Sequence, residues 1–129
     1  MNKILKYIFN ICILVLVTIS LWPGSLFGYL FYNDMSRQLI LIENTFGSTL
    51  NHFIYYLLVS LLGFIIYLKN ENVKKILIIL LLLSTILEFF HFFVPNRSFE
   101  FGDLIANILG VLVAYFVVKI YLLFKSKGT

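Results

Sequence analysis

Four long apolar runs dominate this sequence and restrict it more than any other feature. They cover residues 4–22, 53–68, 76–94 and 104–124. A helix that crosses a bilayer needs about 20 mostly apolar residues, and each run meets or approaches that length. Lys6 sits near the start of the first run, Glu88 and His91 interrupt the third, and Asp103 opens the fourth. The second is short and draws on Leu50, Asn51 and His52 at its outer end. Open sheet edges are not tolerated in lipid, and four runs are too few for a closed barrel. None of the runs alternates as a barrel strand does. The expected fold is therefore all-α: a polytopic bundle of four transmembrane helices at about 4–22, 50–68, 76–94 and 103–124, in one domain spanning residues 1–129.

Composition supports a bilayer environment. Of the 129 residues, 61% are hydrophobic and 12% charged, against about half and about a quarter in soluble domains. A small soluble core cannot hide that excess. The single cysteine, Cys12, lies inside the first run and cannot form an internal disulfide. The net charge of +4 comes from lysines at segment ends and not from a basic face. It reads as a topology signal and not as a nucleic-acid footprint.

Those lysines orient the chain. Lys3 and Lys6 precede the first helix, Lys69, Lys74 and Lys75 lie around the second turn, and Lys119, Lys125 and Lys127 close the fourth. With four spans all fall on one side, while Arg37 and Arg97 fall on the other. The positive-inside rule makes the lysine side cytoplasmic, with both termini inside. Asp34, Glu43, Glu100 and Asp103 lie on the outer face, where Trp22, Tyr29, Tyr32, Tyr55 and Tyr56 suit the interfacial belt. No small-residue cleavage site follows the first run, so it is expected to stay as a span. The outer loop, residues 24–49, carries Leu39-Ile40-Leu41-Ile42 and is expected to lie on or dip into the outer interface.

Ionisable residues inside spans are costly and usually face the bundle interior. Glu88, His91 and Ser84 share one helix face. Asp103, Asn107, Gly110 and Ala114 form a second stripe, and His52, Tyr56, Ser60 and Gly63 a third. Glu88 lies six residues before Val94, about 9 Å below the outer surface, and Asn107 about 6 Å below it. His52 starts the second helix, so the three stripes are expected to meet at one depth under Arg97 and Glu100. Arg97 would pair with Glu88, Glu100 or Asp103 as a directional ion pair, or hold a ligand phosphate. Each residue also has a plainer role. Glu88 and Arg97 could be a satisfied buried pair, His52 and His91 helix-end histidines, Asn107 interhelical glue and Asp103 a helix cap. Gly110, Ala106 and Ala114 read as small-residue packing sites. Glu88-x-x-His91 is a single copy of a motif that di-iron bundles use twice, so no metal or other cofactor is expected. No phosphate-binding, dinucleotide or nucleophile-elbow motif is present.

The run from Glu88 through His91, Arg97, Asp103 and Asn107 to Gly110 resembles the signature of the VanZ-like family: a glutamate near a helix end, then arginine, then an aspartate opening the next helix, with asparagine four on and glycine three beyond. His52-Phe53-Ile54-Tyr55-Tyr56 is similar to the family's histidine-aromatic opening. The resemblance covers most of residues 48–118. His91 stands where the family usually has glutamine, and Ser48 where it often has aspartate. The resemblance implies a multi-pass protein of the bacterial cytoplasmic membrane, of unsettled biochemical activity, whose namesake is linked to teicoplanin resistance. Three functions follow as expectations. One is binding of a membrane lipid or lipid-linked cell-wall precursor through Arg97, Glu88, Asp103, Asn107 and His52. Another is an intramembrane enzyme with Glu88 as base and His52 or His91 as acid. The third is a structural bundle. Four short helices barely enclose a site, which leaves a homo-oligomer open.

Overall fold

A computed structural model describes residues 3–37, 47–68 and 70–127. The described residues form five helices and no strand: α1 (Lys3–Ser20), α2 (Leu26–Tyr32), α3 (Thr49–Ile66), α4 (Asn70–Phe90) and α5 (Phe101–Lys127). Leu39-Ile40-Leu41-Ile42, Glu43 and Lys69 lie outside the described residues. α1, α3 and α5 are long and apolar enough to cross a membrane. α4 is equally long but carries Lys74 and Lys75 near one end and Glu88 near the other. The chain is thus an all-α membrane protein.

α3 and α5 form the central pair. Their backbones touch at Gly110, where an added Cβ would lie 2.6 Å from the Phe53 carbonyl oxygen. Around this contact Tyr56, Phe64, Leu80, Val111, Ala114 and Val118 are buried, and Ala106 lies above them. α4 packs against α5 and antiparallel to α3. α1 is the least integrated helix: Phe9 alone among its described residues is buried. Its ring enters the notch at Gly63 of α3 and meets Tyr67 edge-on at 6.0 Å.

Three boundaries differ from the sequence expectation. α4 begins at Asn70 and ends at Phe90, while the apolar run spans 76–94. Residues 91–93 tighten into successive turns, with His91 N–H donating to Glu88 O and Phe93 N–H to Phe90 O. Pro95 disfavours helical backbone in the residue before it, which ends the helix early although the apolar run continues. The outer loop also contains α2, which Ser25 starts by accepting a bond from Gly28 N–H at 2.9 Å. Asn33 stops it in the left-handed region at φ 53°, a conformation asparagine tolerates. Finally, α5 starts at Phe101, so Asp103 is in its first turn and not at its cap.

Candidate functional site

The outer ends of α1, α3, α4 and α5 bring together the polar stripes read from the sequence. Glu88 and Asn107 are each 1% exposed, His91 3% and Asp103 6%. Each would be costly to bury alone, and each has partners. Asn107 Nδ2 donates to Glu88 Oε2 at 3.3 Å. The Glu100 N–H donates to Glu88 Oε1 at 3.2 Å, and His91 Nδ1 reaches the same oxygen at 3.2 Å. Glu88 therefore joins α4, α5 and the loop between them.

A second carboxylate anchors the other half. Thr49 Oγ1 donates to Asp103 Oδ1 at 2.6 Å, and His52 Nε2 faces Asp103 Oδ2 at 3.3 Å. The other ring nitrogen of His52, Nδ1, meets Asn107 Oδ1 at 3.2 Å. Because Asn107 points its amide nitrogen at Glu88, its oxygen must face His52. Both nitrogens of His52 thus face oxygen atoms. The chain Asp103–His52–Asn107–Glu88–His91 is continuous across three helices, with the two imidazole rings 6.5 Å apart.

Arg97 departs from expectation. Among the described residues it forms no ion pair with Glu88, Glu100 or Asp103. Its Nη2 donates to Ile19 O at 3.0 Å and its Nε to Trp22 O at 3.3 Å. α1 stops at Ser20, and the last carbonyls of a helix lack intrahelical donors and carry its negative end. A cation from the α4–α5 loop fills that need. His91 Nε2 lies 3.1 Å from Ser20 O on the same helix end, and Gly24 N–H donates to Pro95 O at 3.2 Å. Burial pushes the guanidinium below its ordinary pKa, while the charges of Glu88 and Asp103 oppose that shift. Arg97 Nη1 has no hydrogen-bond acceptor among the described residues.

Two cavities flank this arginine. One, of about 80 Å³, is bounded by α1, α2 and α3 and reaches Ser48, Asn51, His52, Arg97 and Asn107. The other, of about 40 Å³, is almost wholly polar and lies between His52, His91, Arg97, Ser98, Glu100 and Asp103. His52 and Arg97 line both, whereas Glu88 lines neither. Among the described residues no three His, Cys, Asp or Glu side chains are grouped to hold a metal ion.

The sequence thus located Glu88, His52, His91, Asp103, Asn107 and Arg97 at one place, with Gly110, Ala106 and Ala114 beneath them in the α3–α5 contact. It missed Thr49, Ser20 and the carbonyls of Ile19 and Trp22. Thr49 could have been found, since it lies three residues before His52 on the same helix face. Backbone carbonyls leave no signal in side-chain patterning.

Comparison with known proteins adds one finding. The family model described as VanZ/LLP1 matches residues 7–124. No curated protein and no solved structure matches the chain. The matched span reaches into all five helices and contains every residue of the polar cluster, and the chain belongs to the VanZ/LLP1 family.

Proposed function

We propose that this protein is a four-span protein of the bacterial cytoplasmic membrane, with both termini in the cytoplasm. In this reading its outer polar cluster binds the anionic head group of a membrane lipid or lipid-linked cell-envelope precursor. The observation that carries the reading is Arg97. Its guanidinium is half-buried between two cavities and bonded to neutral carbonyls instead of a carboxylate, with Nη1 unused among the described residues. A buried cation without a paired carboxylate favours an anion beside it. His52 also lines both cavities, with its ring held by Asp103 and Asn107. Glu88, Asp103 and Asn107 act one layer behind, holding the two histidines in place.

Native mass spectrometry of the gently purified protein tests this. Wild type is expected to retain an anionic lipid or precursor that Arg97→Lys and His52→Gln, at matched thermal stability, release. No anionic species on wild type would overturn the reading and leave Arg97 as a clamp between helices. In cells, a head-group role in the envelope predicts that deletion or overexpression changes sensitivity to teicoplanin.

A second reading, an intramembrane enzyme on the same class of precursor, is favoured by the oriented Asp103–His52 pair at the cavity wall. A carboxylate that fixes an imidazole is a common arrangement for general acid–base work. Glu88 is a poor base in this arrangement, since donors occupy both of its oxygens and it lines no cavity. Turnover of a purified precursor, lost in His52→Gln and kept in Glu88→Gln, would support this reading over simple binding.

A further inference from the structure

α1 is attached to the bundle at two levels. At the lower level the Phe9 ring occupies the Gly63 notch, so closely that a Cβ on Gly63 would lie 2.7 Å from Phe9 Cε2. At the upper level Arg97 and His91, neither of them on α3, hold the carbonyls of Ile19, Ser20 and Trp22. The cavity of about 80 Å³ lies beside the upper attachment, among α1, α2 and α3. Its size suits a compact polar group, since one water needs only about 10–15 Å³ measured in this way.

The lining combines polar and apolar side chains. Ser48, Asn51 and His52 begin α3, and Ser20 ends α1, so the polar residues occupy the outer end. Leu16 and Tyr55 lie about one helical turn further toward the middle of their helices. Both are half-buried, and Leu26 and Phe27 of α2 complete the apolar part of the wall. The cationic Arg97 closes the outer end together with His52. A cleft that holds a cation and is walled by Leu16, Ile19, Leu26 and Phe27 matches an anion that carries an apolar chain. It does not match a soluble anion arriving from water.

We propose that this cleft takes a single-chain lipid phosphate. The phosphate sits against Arg97 Nη1, beside the His52 ring, and the first carbons of the chain lie against Leu16 and Tyr55. This inference rests on the head-group reading and adds to it the ligand's chain.

The test uses the full chain in phosphatidylcholine nanodiscs, with dodecyl phosphate and inorganic phosphate as probes. Trp22 is the sole tryptophan, and Arg97 bonds its carbonyl, so its emission reports the site. Dodecyl phosphate should shift the emission saturably, and inorganic phosphate should need at least a hundredfold higher concentration. Leu16→Phe and, independently, Ile19→Phe should each weaken dodecyl phosphate at least tenfold with unchanged melting midpoints. Val15→Phe, which alters the exposed side of α1, should bind as wild type does. Equal potency of the two probes, or wild-type affinity in both cleft variants, would overturn the chain contact while leaving the head-group reading intact. No response of wild type to either probe, with no anion retained in native mass spectrometry, would overturn both.

Discussion

A carboxylate almost sealed from water persists at Glu88 because donors occupy both of its oxygens. Three donors converge there, from Asn107, His91 and the Glu100 backbone. Removing the acceptor leaves buried donors unpaired, at about 1–3 kcal/mol each. Glu88→Leu is expected to lower stability by about 3 kcal/mol or more, seen as a fall in melting midpoint of the purified protein. Glu88→Gln keeps one oxygen but turns an amide N–H₂ toward a donor, so it should fall between Leu and wild type. Wild-type stability of Glu88→Leu would contradict the network described here. At this scale much was legible in the sequence. Helical spacing placed His52, Glu88 and Asn107 on inward faces, and a shared depth predicted their meeting. The target of Arg97 was not legible. Charge complementarity pointed to the nearby carboxylates, whereas the guanidinium went to the end of α1, whose unpaired carbonyls are supplied by every helix terminus regardless of side chain.

The two close helix contacts should respond differently to an added methyl group. At Gly110 the obstacle is backbone: a Cβ would meet Phe53 O at 2.6 Å and Leu57 N at 2.9 Å. Neither atom can yield unless α3 moves away from α5, and α5 carries Asp103 and Asn107 to the site. Overpacking of this kind typically costs about 1–3 kcal/mol. Gly110→Ala is expected to lie at or above the upper end of that range and to weaken ligand retention as well. At Gly63 the obstacle is the far edge of the Phe9 ring. Gly63→Ala should cost less, and Phe9→Leu in the same chain should recover part of the loss. Melting midpoints of the three variants decide the order; a larger loss at Gly63 than at Gly110 would contradict the packing argument. Sequence patterning marked Gly110 as a packing position and put Gly63 only in the His52 stripe, and their different neighbours come only from the fold. The elements themselves were read with the same mixture of success. The apolar runs located α1, α3, α4 and α5, because the need to match a bilayer sets their length. α2 was missed, since seven residues between turn signals are too few for a periodic pattern.

The four-span arrangement proposed above depends on how α4 lies beside its neighbours. α3 ends at Ile66 and α4 starts at Asn70, so the chain reverses within a few residues. α4 then runs antiparallel to α3 for 21 residues, a length of about 31 Å, comparable with the hydrocarbon core. A helix antiparallel to a spanning neighbour and as long as the hydrocarbon core is thick fits the same slab of membrane. The charges of α4 are compatible with that position. Lys74 and Lys75 lie in the second turn, where long side chains can extend to the interface, and Glu88 is enclosed near the opposite end. Four spans return the chain to its starting side, whereas three would leave the termini on opposite sides. With four spans, the lysine bias predicts both termini in the cytoplasm. A fluorescent protein that matures only in the cytoplasm should therefore be bright when fused after residue 129. Alkaline phosphatase, which needs periplasmic disulfides, should be inactive there and active when inserted after Asp34. Maleimide labelling of Ser36→Cys in a Cys12→Ser background should proceed in intact cells, because Ser36 is exposed in the outer loop. An active phosphatase at the C-terminus would remove α4 from the membrane. It would also place the ends of α4 and α5, and with them Glu88 and Asn107, on different sides of the bilayer from those required for one outer site.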